Sequence, residues 1–332
     1  MTITAVGPGR VNLIGEYTDF SGGLVLPMAI DLVTTISGEP GGTKVVLVSA
    51  DEPAPAVVPL EVTDPAAVSP SWARYVAGVI AELRPDVGFT GTVTTTLPVG
   101  AGLSSSAALE VAVALALGFD GTPLELAELT QHAEQRASGV PCGIMDQLAS
   151  ASGVAGHALL IDCHDRSVTP VELPDDVEVR VIHSGQSRQL AGSAYGERRA
   201  AVEAAEQVLG PLRLIRGADA ADRLDDPVLR RRARHVIAEN ARVRAFAHAL
   251  SSGDLVGAGQ EMAASHASLR DDFEVSTDVL DALVDRLQET AGVFGARLTG
   301  AGFGGCVVAL TEPGALDEGW AVRASSGAHR TS

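Results

Sequence analysis

The chain has 332 residues, with 24 Lys and Arg against 42 Asp and Glu, a formal net charge of −18, and 46% hydrophobic residues. Phosphate backbones reward positive surface, so this balance argues against a nucleic-acid partner, and any anionic substrate must be met by local positive potential. Three widely spaced cysteines (Cys142, Cys163 and Cys306) carry no CxxC spacing and describe no disulfide framework, as suits a reduced compartment. No apolar run approaches the ~18 residues of a membrane span, and the N-terminus MTITAVGPGRVNLIGEY lacks the layout of a signal peptide, so a cytoplasmic protein is expected. Lys44 is the single lysine, which sets aside lysine-dependent phosphate loops, the protein-kinase strand lysine and Schiff-base chemistry.

In chain order, GPGRVNLIGEYTDFSGG (residues 7–23) gathers Arg10, Glu16 and Asp19 with several glycines into one segment between strands. Glu16, Thr18 and Asp19 are suited to binding sugar hydroxyls, and the permanently charged Arg10 to holding a carboxylate or a phosphoryl group. A polar hairpin with a solvated ion pair is the plainer alternative. Strand-like runs follow, and then residues 51–71, whose five prolines predict an irregular surface excursion. SWARYVAGVIAEL next places Trp72, Val76, Val79, Ile80 and Leu83 on one helical face.

LPVGAGLSSSAALEVA (97–112) runs from a predicted strand at 92–97 into a helix, apolar on nearly every side, from Ser104 to about Leu117. A glycine loop opening a helix aims backbone N–H groups and the helix dipole at whatever lies above it, an anion site that needs no lysine. Serine hydroxyls there can donate to phosphate or complete a Mg²⁺ shell, although ordinary N-capping explains one of the three. A second helix, Leu124 to about Ser138, stops at Gly139 and Pro141. It sets Glu134 before, and Asp146 after, a Gly-Val-Pro-Cys-Gly turn. Phosphoryl transfer to an alcohol needs a base and a metal ligand, and these two acids could supply one each; a solvated Glu134 and a dipole-partner Asp146 are the alternative. Cys142 has no histidine nearby in sequence, so a packed turn residue is expected rather than a nucleophile.

Past Pro174 the texture changes to a strand (VEVRVIHSG), four long helical stretches, and two strands, FGARLTG and CVVAL, around the loop TGAGFGGC (299–306). That loop leads into a strand, so the dinucleotide-binding reading of its glycines is weak. The basic run Arg230, Arg231, Arg232 and Arg234 predicts a solvated helix face with local ion pairs.

GRVNLIGEYTDFSGG, LPVGAGLSSSAALEV, PCGIMDQ and GARLTGAGFGGC, in this order, resemble the galactokinases of the GHMP small-molecule kinase superfamily; ALLIDC, AGSAYGERR, RRARHVIAEN and SHASLRDDFEVS extend the resemblance over nearly the entire chain. The resemblance implies an α+β, two-domain GHMP kinase fold: a ribosomal-protein-S5-like N-terminal domain (1–172), a ferredoxin-like α/β sandwich (173–332), and an active site in the cleft between them. It implies ATP and Mg²⁺ as cofactors, with Asp146 as base for the anomeric hydroxyl and Arg10 as its charge partner. Pro98, Gly100, Ala101, Gly102, Leu103, Ser104, Ser105 and Ser106 would wrap the nucleotide phosphates, and Trp72 would lie on the adenine side. Ser106 and Glu134 would hold the metal, and Glu16, Asp19, Gly143 and Tyr195 would contact the sugar. Tyr17 stands where the family usually has histidine, near the C6 end of the sugar, so it bears on which hexose or pentose fits. The implied partners are sugar and ATP, with neither nucleic acid nor membrane, in a monomer or weak oligomer. The alternatives are a kinase for another sugar (N-acetylgalactosamine or L-arabinose), one for mevalonate or homoserine, and a non-catalytic sugar and ATP sensor. The sequence after CVVAL is shorter than in relatives, and a disordered end is expected there.

Overall fold

A computed structural model describes residues 1–98, 100–186 and 191–331, the side chains of 191–193 aside. Strand β1 (Ile3–Asn12) is followed by β2 (Leu24–Val25), β3 (Pro27–Pro40), β4 (Lys44–Ser49), β5 (Ala56–Pro59), α1 (Ala73–Leu83), β6 (Phe89–Thr95), α2 (Ser105–Ala116), α3 (Pro123–Ser138) and α4 (Met145–Ser152). Strands β7 (His157–Asp162), β8 (Ser167–Glu172) and β9 (Glu178–His183) lead to helices α5 (Ala191–Leu209), α6 (Pro227–Ser252), α7 (Leu255–Asp271) and α8 (Asp278–Gln288). Strands β10 (Val293–Thr299), β11 (Cys306–Thr311), β12 (Trp320–Val322) and β13 (His329–Thr331) complete the chain.

The first sheet has the order β13-β1-β3-β6-β4-β5 and packs against α2 and α4; α1 and α3 lie beyond. Helix α2 is buried along almost its entire length, as its all-round apolar sequence requires. Helix α3 starts on a capping box between Thr122 and Glu125, with Pro123 in the first turn, and stops at Gly139 in a left-handed conformation. The proline-rich stretch departs from expectation: Ala56–Pro59 pairs with β4 and buries Ala56 and Val58. Proline is tolerated there because β5 is the sheet edge, where a missing N–H costs no ladder bond.

The second sheet, order β10-β11-β9-β12, is antiparallel and is covered by α7 and α8, while α6 packs on α7. A third sheet, β2-β7-β8, lies between the two halves of the sequence. The middle hydrophobic cluster joins Val11, Leu13 and Met28 of the first half to Val181, Phe246, Met262 and Val308 of the second. Where a disordered end was expected, the described residues up to 331 are paired. Ser325 N–H donates to Ala29 O at 2.9 Å and Gly327 N–H to Gly153 O at 2.7 Å, and β13 then pairs with β1.

Candidate active site

The glycine loop leaves β6 and enters α2 with Gly100 and Gly102 at φ +74° and +73° and Ser104 in the left-handed region at +58°. Leu97, Ala101 and Leu103 are buried and anchor the loop in the middle core. Ser104 occupies the N-cap position of α2, yet its hydroxyl caps nothing and instead donates to Asp146 Oδ2 at 2.5 Å. The expected serine cap is therefore absent, and the first-turn N–H groups of a 12-residue helix have no side-chain partner at the cap.

Arg10 lies on β1 at a shift in register between Pro8 and Arg10. Its guanidinium grips Asp146 with both arms, Nε to Oδ1 at 2.6 Å and Nη2 to Oδ2 at 2.8 Å. Its third nitrogen, Nη1, donates to Gly102 O at 2.9 Å, and its backbone N–H to Leu103 O at 3.1 Å. One residue thus ties the loop, the strand and the first turn of α4 together. Planar, bidentate recognition of this kind is what arginine provides and lysine does not.

Ser106 donates to Glu134 Oε1 at 2.9 Å, and Gln147 Nε2 donates to Oε2 at 2.6 Å. Burial, reinforced by the charge of Asp146, pushes the Glu134 carboxyl up to about 7. Among the described residues no group of three acidic, histidine or cysteine side chains could cage a metal. One carboxylate beside one hydroxyl nevertheless fits Mg²⁺, which keeps several waters and takes its other ligands from substrate phosphates.

The remaining cleft wall comes from the segment after β1, the turn before α4, helix α5 and the loop after β10. Glu16, Tyr17, Asp19, Gly143 and Tyr195 face the same cleft as Arg10, Glu134 and Asp146, together with Gly300 and Ala301. Glu16 is buried, and its oxygens already accept five bonds: two from Arg297 at 3.0 Å, one from Gly300 N–H at 2.6 Å, one from Thr299 at 3.2 Å and one from Asn12. Asp19 lies against Gly143 so closely that a Cβ there would stand 1.8 Å from Asp19 Oδ2. Burial, then the charge of Asp146, raises the Asp19 carboxyl to about 6. The Tyr17 hydroxyl donates to Ala301 O at 2.6 Å, and its ring packs on Phe273 and Tyr195 at centroid distances of 4.6 and 5.4 Å.

A second pocket opens next to the loop. Trp72, Tyr75, Val93, Leu97 and Leu109 supply its apolar wall, and Ser105 and Ser106 stand on its loop side. Trp72 is fixed by its indole N–H, which donates to Ala54 O at 3.0 Å.

Residues that sequence reading passed over complete the site. Gln147 orients Glu134, and Arg297 holds Glu16 from the second half. Glu110 was visible as the one acid inside an otherwise apolar helix; it is fully buried, and burial drives its carboxyl well above the usual range. Cys142 is no thiolate, because burial followed by the charge of Glu134 pushes its pKa upward. The basic run is less solvated than expected: Arg231 and Arg234 pair with Glu274 and Asp222, but Arg232 is buried against Asp272 O and Glu274.

Comparison with known proteins places this arrangement. The chain matches the families described as GHMP kinases N terminal domain over residues 74–154 and GHMP kinases C terminal over 246–323, and the Galactokinase galactose-binding signature over 2–40. It is 44% identical to the galactokinase of Chloroflexus aurantiacus over 350 residues, covering 97% of this chain and 89% of that protein. It is 43% identical to the galactokinase of Homo sapiens over 326 residues, covering 93% and 83%. The crystal structure of Lactococcus lactis galactokinase complexed with galactose superposes with a TM-score of 0.91 at 33% identity, covering 99% of this chain and 95% of that one. The L. major mevalonate kinase in complex with R-mevalonate has a TM-score of 0.69 at 19% identity, covering 97% of this chain and 96% of that one, and shares the fold. Fold and site thus define a kinase of the GHMP class, with the two-domain α+β architecture of that class. Within it, the chain belongs to the galactokinase family.

Proposed function

We propose that this protein transfers the γ-phosphoryl group of ATP to the anomeric C1 hydroxyl of galactose, giving galactose 1-phosphate and ADP. The observation that carries the reading is the bidentate Arg10–Asp146 pair set between the uncapped start of α2 and the cleft wall of Asp19, Gly143 and Tyr195. The galactose-binding signature and galactokinase relatives supply the acceptor.

Asp146 accepts the proton of the C1 hydroxyl as that oxygen attacks. Arg10 and Ser104 hold its carboxylate in one orientation through three hydrogen bonds. The first-turn N–H groups of α2 and the loop backbone at Pro98 and from Gly100 to Ser106 cradle the phosphates, so no lysine is needed. Trp72 and its neighbours enclose the adenine. Glu134 and Ser106 would hold Mg²⁺, which would neutralise charge on the phosphates. Glu16, Asp19, Gly143 and Tyr195 present the sugar, and Tyr17 closes one side of its site. We place the two domains at 1–172 and 173–332, and the protein in the cytoplasm as a monomer or weak oligomer; no described helix is long and apolar enough to cross a membrane.

A kinase for N-acetylgalactosamine or L-arabinose is the second reading, and Tyr17, packed between Phe273 and Tyr195, is the observation that favours it. The deciding experiment measures ADP release from MgATP across galactose, N-acetylgalactosamine, L-arabinose, glucose and mevalonate, with product position read by phosphorus NMR. Galactose leading, with phosphate on C1, is expected. Another sugar in front replaces the substrate and keeps the mechanism, whereas sugar-dependent ATP binding without ADP release points to a sensor. Asp146→Asn is expected to lower kcat by about 10²–10⁴-fold with nucleotide affinity retained.

A further inference from the structure

Helix α6 supplies no lining residue of either pocket beside the glycine loop. Three of its buried polar side chains, His235, Glu239 and Asn240, nevertheless lie within two turns of one another. Such groups are costly inside a protein unless each is fully partnered. Here each of them reaches the main chain of residues 15–24, the segment that brings Glu16, Tyr17 and Asp19 to the cleft.

His235 Nε2 lies 3.1 Å from Glu16 O, and its Nδ1 lies 2.9 Å from the Ser268 hydroxyl. A carbonyl oxygen can only accept, so Nε2 carries the proton. Burial pushes the ring down to about 4, and it is therefore neutral near pH 7; the one Ser268 hydroxyl proton is shared between Nδ1 and Asp272 Oδ2, 3.1 Å away. Glu239 Oε1 accepts from Gly15 N–H at 3.0 Å and Ser265 Oγ at 2.6 Å, and Oε2 accepts from Arg242 Nε at 2.7 Å. Asn240 Oδ1 accepts from Leu24 N–H at 2.8 Å, while its amide nitrogen donates to Val236 O at 2.8 Å. The fit is steric as well: a Cβ on Gly23 would lie 2.7 Å from Asn240 Oδ1, and one on Gly15 would lie 3.0 Å from Val243 Cγ2. Between these anchors Thr18 closes the segment on itself, its hydroxyl within 2.9 Å of Gly15 O and 2.7 Å of Leu24 O.

We propose that His235, Glu239 and Asn240 are positioning residues of the sugar site, which fix the backbone of residues 15–24 and so set sugar affinity without touching sugar, nucleotide or reacting atoms. The inference rests on the reading of the cleft as a sugar-kinase site. It follows from the placement of the anchors: they hold both ends of the segment and the carbonyl of Glu16 inside it, whereas the nucleotide loop is held separately by Arg10.

The test compares wild type with Asn240→Ala, His235→Leu and the conservative His235→Gln. Galactose dissociation constants are measured by calorimetry without nucleotide, and Tm and the KM values for galactose and MgATP are measured on the same preparations. Asn240→Ala and His235→Leu are expected to weaken galactose binding and raise its KM about tenfold, because a buried backbone group loses its partner. The KM for MgATP is expected to stay within about twofold. His235→Gln keeps an N–H donor at comparable reach and is expected to recover most of the loss. Galactose and MgATP constants that worsen together in step with Tm would overturn the inference, as would unchanged galactose affinity in folded variants. Should His235→Leu not fold, Asn240→Ala and His235→Gln decide the matter. A wild type that binds no galactose overturns the underlying functional reading instead, so the two failures are told apart.

Discussion

Asp19 and Gly143 share a space that admits no further atom. A Cβ at 143 would stand 1.8 Å from Asp19 Oδ2, so Gly143→Ala must displace that carboxylate. Misplacing a substrate-positioning group by about an ångström can cost up to ~10²-fold, and the KM for galactose in Gly143→Ala is expected to rise about tenfold or more, with the KM for MgATP unchanged. Asp19 also makes a pH prediction with a definite sign. Its carboxyl is raised to about 6, from 3.8, by burial and by Asp146, so the folded state binds this proton more tightly than the unfolded chain does. The resulting stabilisation is complete below the unfolded value and is lost as pH rises through about 6. Asp19→Asn is therefore expected to match wild type near pH ~4 and to exceed it by about 1–2 kcal/mol near pH ~8. Thermal unfolding of both proteins across that range checks it; equal Tm values at the alkaline end would show that ionised Asp19 carries no penalty.

At the scale of elements, α1 and α3 approach so closely that a Cβ on Gly78 would lie 2.4 Å from Ala133 O. The residue after Ala133 is Glu134, so the spacing of these helices fixes the acid that faces Ser106. Gly78→Leu is expected to destabilise the fold by about 1–3 kcal/mol through overpacking, and to raise the Mg²⁺ concentration for half-maximal activity while sparing the KM for galactose. A Mg²⁺ titration that coincides with wild type would show that α3 does not transmit the shift. Local elements of this kind were legible in the sequence. The stop of α3 at Gly139, the glycine loop before α2 and the acid that opens α4 are written in adjacent residues, and the pairing of Arg10 with Asp146 came with the family resemblance. What stayed hidden depends on distant partners. Nothing near Ser104 indicates that its hydroxyl turns away from the cap to Asp146, and nothing near Glu16 names Arg297, 281 residues away, as its counter-ion. Strand β5 was hidden for a related reason: prolines read as breakers until the sheet edge makes their missing N–H harmless.

For the molecule as a whole, the two halves share a third core besides the cluster that each builds mainly from its own residues. Val11, Leu13 and Met28 share a core with Val181, Phe246 and Val308, and the buried Arg297–Glu16 pair crosses between the second sheet and the segment after β1. Strand β13 returns from the second half to pair with β1. Separating the halves would expose the shared apolar surface and break this pair together with the Arg297 bond to Leu13 O. Neither half can then melt far ahead of the other, even though the site lies between them. Heat unfolding is expected to show one calorimetric transition whose enthalpy equals the van't Hoff value, shifted as a unit to higher temperature by saturating galactose. Residues 1–172 produced alone are expected to lack that transition, since their share of the middle core and the edge beside β1 would face water. Two resolved transitions in the full chain, or cooperative melting of the isolated first half, would show instead that each half carries its own sufficient core and that the shared cluster serves alignment of the cleft rather than stability.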